Sequence, residues 1–237
     1  MKKIFGNKKL LIIILSAIVL IGIIAAVILI VWGGNEKEED PYQLKLDEFK
    51  QLILDPENAD GLYDGMKAVR DAALAFGDDA MDKLGYVSQD LNNDGKDELF
   101  IGCFDDEAAD VDNEVYAAFT YAGGELKPIF EKQEKNTFAL TDTGTVYFYG
   151  TDGEKYHILA EYQLTEDGEL ICLDFYFTYP KNNDLNNFAY YHNTTGVFDP
   201  EGSEEIQMTA EELEAKRQEL AARTEPIDAV KFSEIGK

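Results

Sequence analysis

Nine residues, Asp90 to Glu98 (DLNNDGKDE), carry the spacing in this chain best suited to chemistry. Asp90, Asn92, Asp94 and Glu98 fall at the first, third, fifth and ninth places, and Gly95 supplies a turn among them. Side-chain oxygens spaced in this way suit a hard cation, which takes about six to eight oxygens at short range. The seventh place would add the backbone carbonyl of Lys96. The expected metal ligands are therefore Asp90, Asn92, Asp94, Lys96 and Glu98, and the expected ion is calcium in a structural role. Asn93 to Gly95 would equally make an ordinary hairpin turn with no metal.

In the helix-loop-helix version of such a loop the twelfth place holds a bidentate glutamate. Here it holds Ile101, and residues 98–104 (ELFIGCF) read as a strand. With Tyr86 and Val87 in a strand before it, the loop is expected at the tip of a hairpin. It resembles the calcium-binding hairpin DxDxDGxxD of integrin-type FG-GAP repeats, and the D-x-N-x-D-G-x-x-E-L hairpin of uncharacterised bacterial cell-surface proteins and lipoproteins. The resemblance covers about a dozen of 237 residues, so it implies a metal site and a surface setting without implying an activity. An extracellular calcium site of this kind binds with a dissociation constant of about 0.1–1 mM.

Other chemistry is sparse, and no catalytic residue is assigned. The four serines, Ser16, Ser88, Ser203 and Ser233, include none in G-x-S-x-G. His157 and His192 lie on aromatic-rich strands without a nucleophile motif, and HExxH, P-loop and dinucleotide fingerprints are absent. Two carboxylates can hydrolyse a glycan, but 47 acidic residues make a workable pair a matter of chance. The cluster Asp105, Asp106, Asp110, Asp112 and Glu114 reads as a second cation site, a cleft edge or a solvated loop. Lys181 to Asn187 (KNNDLNN), flanked by Tyr179, Tyr190 and Tyr191, mixes amides with aromatics as carbohydrate-binding surfaces do, or simply closes one end of the fold. Asn193-Thr194-Thr195 matches a glycosylation acceptor, a signal without force in a chain of bacterial character. Cys103 and Cys172 are the only cysteines and form no CxxC motif. Period-two alternation puts Cys103 with Leu99 and Ile101, but sets Cys172 beside Asp174, away from Ile171, Leu173, Phe175 and Phe177. An extracellular setting permits a disulfide between them.

Lys2, Lys3, Lys8 and Lys9 precede an unbroken apolar run from Leu10 to Trp32, long enough to span a bilayer with some tilt. The following GGNEKEED has neither a small-residue cleavage pattern nor a lipobox cysteine, which favours an uncleaved signal anchor over a cleaved signal peptide. The lysines before it and the acids after it place the amino terminus inside the cell. The expected organisation is a cytoplasmic tail (1–9), a transmembrane signal anchor (10–32), a charged linker (33–41) and one extracellular domain (42–237). Removing the first 32 residues takes away four lysines and leaves 17 basic residues against 47 acidic, a net charge of −30. Such a surface repels nucleic acid, excluded here as a partner, and attracts divalent cations.

Apolar spacing predicts helices over 42–54, about 61–76 and about 79–84. Turn signals then recur at Asp94-Gly95, Gly123-Gly124, Asp142 to Gly144, Asp152-Gly153 and Asp167-Gly168, the pattern of an antiparallel meander. Expected strands are 86–89, 98–104, 114–121, 125–131, 137–141, 145–150, 155–164, 169–179 and 188–191. A last helix spans about 209–223, with Thr209 and Glu212 as a capping box. The fold class is α+β: N-terminal helices, a long antiparallel meander forming a twisted sheet or partial barrel, and a C-terminal helix, preceded by one transmembrane helix. The function expected is a non-catalytic cell-surface binding domain whose partner is an envelope protein or a wall polymer. The alternatives are a membrane-anchored extracellular hydrolase acting on wall glycans through carboxylates, and an accessory subunit of an envelope complex.

Overall fold

The computed structural model describes residues 40–104, 111, 113–152, 155–224 and 226–236, apart from the side chain of Asn183. The expected tail and anchor lie outside the described residues, and among those described no helix is long and apolar enough to cross a membrane. The chain divides into two units, Met1–Gln43 and Leu44–Lys237. In the first, the Asp40 carboxylate accepts the Tyr42 N–H at 2.9 Å. The second carries the sheets and the candidate site.

Helix α1 (Gln43–Leu54) buries Leu46, Phe49, Leu52 and Ile53, the stripe that its apolar spacing dictates. Helix α2 (Asp64–Phe76) buries Met66, Val69 and Ala73, and a single turn α3 (Ala80–Lys83) leads into the strands. The strands are β1 (Leu84–Gln89), β2 (Glu98–Cys103), β3 (Glu114–Ala122), β4 (Glu125–Glu131), β5 (Asn136–Leu140), β6 (Val146–Asp152), β7 (Tyr156–Leu164), β8 (Leu170–Pro180), β9 (Phe188–Asn193), β10 (Glu204–Ile206) and β11 (Val230–Lys231). Helix α4 (Ala210–Ala221) starts at the expected capping box, in which the Thr209 hydroxyl accepts the Glu212 N–H and the Glu212 carboxylate accepts the Thr209 N–H.

The α+β class holds, but the meander forms two antiparallel sheets. The first has the order β11-β1-β2-β3-β4, and the second β10-β9-β8-β7-β6-β5. The sheets meet where β3 lies against β5. There the fully buried Asn113 replaces a strand partner: its Nδ2 donates to the Leu140 carbonyl at 3.0 Å and its Oδ1 accepts the Leu140 N–H at 2.6 Å. One face of the first sheet packs on α1 and α2, through Phe119 against Phe49 and Ala117 against Gly65. Its other face meets the second sheet in a core of Val87, Leu91, Phe100, Phe130, Phe138 and Leu164. Because β2 is covered on both faces, every one of its residues is buried. The far face of the second sheet packs on α4 through Tyr147, Leu159, Leu213 and Leu220.

Neither cysteine is in a disulfide and both are buried, and Cys172 sits with Phe175 and Phe177 rather than on the opposite face. The cause is a bulge: β8 pairs Asp174 with Glu161 but Cys172 with Tyr162, so Leu173 is an extra residue that reverses the alternation. Ile171 and Leu173 consequently face solvent, 55% and 40% exposed.

Candidate metal centre

Strands β1 and β2 pair from Leu84↔Cys103 to Gln89↔Glu98, and residues 90–97 form the tip of their hairpin. The tip is wound by its own side chains. The Asp90 carboxylate accepts the N–H groups of Asp94 at 3.0 Å and Gly95 at 2.9 Å. Asn92 Oδ1 accepts the Asp94 N–H at 2.9 Å, and Asp94 Oδ1 accepts the Lys96 N–H at 2.8 Å. Asn93 at φ 61° and Gly95 at φ 87° make the left-handed steps that bend the chain, a conformation these two residue types tolerate. A carboxylate accepts about four hydrogen bonds, so Asp90 and Asp94 keep acceptor capacity beyond these amides.

Glu98 is the buried end of the loop, 1% exposed at the start of β2. Its Oε2 accepts the Leu91 N–H at 3.0 Å, while its Oε1 accepts from Asn92 Nδ2 at 3.2 Å and from the Thr120 hydroxyl of β3 at 3.4 Å. All three donors are uncharged. Burial raises the Glu98 carboxyl above its ordinary range; the Leu91 N–H opposes this, the negative charges of Asp94 and Asp90 add to the rise, and the Thr120 hydroxyl opposes it. Burying an ionised carboxylate among neutral donors is costly. A cation beside these groups favours the ionised form and offsets that cost.

The loop is also fastened to the second sheet. Asn92 Nδ2 donates to the Thr165 carbonyl in the β7–β8 turn at 3.0 Å. In the same turn Gly168, at φ +82°, lies so close to Thr120 that an added Cβ would stand 2.3 Å from Thr120 Cγ2. Leu91, 5% exposed, reaches from the loop into the core between the sheets. A loop that holds its shape therefore holds the sheets in register with one another.

Asp90, Asn92, Asp94 and Glu98 thus share one hairpin tip, joined by common hydrogen bonds. Lys96 donates its N–H to Asp94, and its ammonium stands 4.0 Å from Asp94 Oδ2. Among the described residues no three His, Cys, Asp or Glu side chains stand close enough together to hold an ion. The donor set nevertheless fits a hard cation in kind, being all oxygen with a buried carboxylate that lacks a charged partner in its hydrogen bonds. Thr120, Thr165 and the close approach of Gly168 to Thr120 are not readable from the sequence, because these residues lie far along the chain from those they touch; the local signals are a threonine in an otherwise apolar stretch of β3 and the Asp167-Gly168 turn.

The other sequence candidates separate. Of the acidic cluster only Glu114 is described: it pairs with the Lys132 ammonium and accepts from the Thr137 hydroxyl, while Asp105, Asp106, Asp110 and Asp112 lie outside the described residues. His157 Nδ1 meets the Tyr149 hydroxyl at 2.9 Å, and His192 Nε2 meets Asp174 Oδ1 at 2.7 Å. Asn193, at the sequon, is a buried strut whose Oδ1 accepts from Thr195 and Gly196 N–H and whose Nδ2 donates to the Val197 carbonyl and the Ser203 hydroxyl. No protein-family model, curated protein or solved structure matches this chain.

Proposed function

We propose that this protein is a non-catalytic binding domain displayed at a bacterial cell surface, anchored by a single transmembrane helix over residues 10–32 and stabilised by one calcium ion. Asp90, Asn92, Asp94, the Lys96 carbonyl and Glu98 would hold the ion. The observation that carries this reading is Glu98, a fully buried carboxylate among neutral donors at the ninth place of a calcium-type loop. The ion would supply charge compensation and rigidity where the two sheets meet, and take no part in a reaction. The non-catalytic reading rests on the sequence, which lacks nucleophile, metalloprotease and nucleotide-binding motifs. Its partner would be a wall polymer, a neighbouring envelope protein or another extracellular ligand.

Titration calorimetry of the full chain with calcium tests the metal. One ion per chain is expected, with a dissociation constant of about 0.1–1 mM, and no heat beyond dilution in Asp94→Ala. Fractionation tests the anchor: the chain should stay with membranes through high-salt and alkaline washes and be cut by protease added to intact cells.

A further inference from the structure

The face of the second sheet that carries α4 is only partly covered by it. Beside the helix the face opens into a cleft of about 300 Å3. This is the lower end of the range for small-ligand sites, roughly 300–1,000 Å3, and gives room for one ring. Tyr149 of β6 lines one side, Phe188 and Tyr190 of β9 line the other, His157 of β7 lies between, and α4 contributes Glu214 and Arg217.

Both cations of this cleft make hydrogen bonds to groups of the chain itself. Arg217 donates from Nε and Nη2 to the two Glu214 oxygens, each at 2.8 Å, and its guanidinium lies 5.2 Å from the Tyr149 ring centroid. Lys155 donates to the Leu185 carbonyl at 2.7 Å and stands 5.8 Å from the Phe188 centroid. Glu214 neutralises the Arg217 guanidinium, whereas the Lys155 ammonium keeps donors beyond the Leu185 carbonyl. What the lining leaves for a ligand is the Tyr190 ring, with hydroxyl, imidazole and amide groups, both donors and acceptors, around it. That combination matches a ligand with apolar C–H faces and hydroxyls around its rim.

We infer that this cleft binds one neutral pyranose ring of a surface glycan. The inference rests on the binding-domain reading above and gives that domain a ligand class. The glycan source is either an N-acetylated wall chain or a plain hexose polymer, and the two are distinguished by the probe. The full chain, purified in a phosphocholine detergent free of sugar, is titrated with triacetylchitotriose, maltotriose and mannotriose, each followed by saturation-transfer NMR. Binding of at least one trisaccharide is expected, weakened about three- to tenfold by Tyr190→Ala. Asn186→Ala, at an exposed loop position on the rim, should weaken it as well while leaving the core intact. Tyr121→Ala, on the first sheet, should change nothing. Absence of binding by all three sugars, or binding undiminished in both cleft variants, overturns the inference. A calcium response and surface display that persist in that case would show that the cleft assignment alone has failed.

Discussion

Glu98 binds its proton more tightly in the folded chain than in the unfolded one, since burial and the charges of Asp94 and Asp90 outweigh its hydrogen bonds. Without a cation its contribution to stability is full below the ordinary glutamate value of 4.5 and is lost as pH rises through the elevated folded value. Glu98→Gln removes the charge, although its amide nitrogen cannot accept the hydrogen bond that one carboxylate oxygen accepts. In chelator the wild-type melt should rise as pH falls from neutral toward 4.5, and the Glu98→Gln melt should rise less; equal pH dependence in the two would deny that burial raises the Glu98 carboxyl. The same substitution should abolish any calcium response. Asn113 is a second residue-scale test. Asn113→Ala leaves the Leu140 N–H and carbonyl unpaired in a buried setting and should cost about 2–4 kcal/mol in urea unfolding. Gly168→Ala would drive a methyl into Thr120 at a left-handed φ, costing about 1–3 kcal/mol and weakening any calcium binding through the Thr120–Glu98 contact.

At the scale of elements, the hairpins were legible because their turns are written in short-range chemistry. Asp-Gly and Gly-Gly pairs between apolar or aromatic runs placed most strands within a residue or two, and the α4 start was readable from Thr209 and Glu212 alone. Thr209→Ala should accordingly cost about 1 kcal/mol, read by urea unfolding. Strand partnership was not legible in the same way. β4 and β5 follow one another like any other neighbours, yet they belong to different sheets, because the link at that point runs through β3 and the buried Asn113. The two-residue β11 joins the edge of β1 from the far end of the chain, too short to leave a periodic signal. The faces of β8 were misread for a local reason, since one bulged residue at Leu173 moves Cys172 into the aromatic core. The loop residues themselves were readable from spacing, whereas Thr120, Thr165 and Gly168 reach the site only through the packing of one sheet on the other.

At the scale of the molecule, a chain of net charge −26 gathers three of its carboxylates, Asp90, Asp94 and Glu98, in one hairpin tip, where they accept hydrogen bonds from neutral donors. A divalent cation is the natural counter-charge, and its affinity should fall as sodium chloride screens the field of the surrounding acids. The position of the loop also sets the consequence of binding. It stands between the sheets rather than at a free end, so an ion there would stabilise the whole two-sheet unit and not merely order one turn. The most direct measurement is the thermal melt of the full chain in millimolar calcium and in chelator, with Asp94→Ala run alongside. With calcium tenfold above its dissociation constant, binding only to the folded state adds about 1.4 kcal/mol, a rise of about 3–5 °C for a domain of this size. That rise is expected in the wild type and not in the variant; coincident wild-type melts with and without calcium would contradict a calcium site and leave residues 90–98 as a hairpin turn.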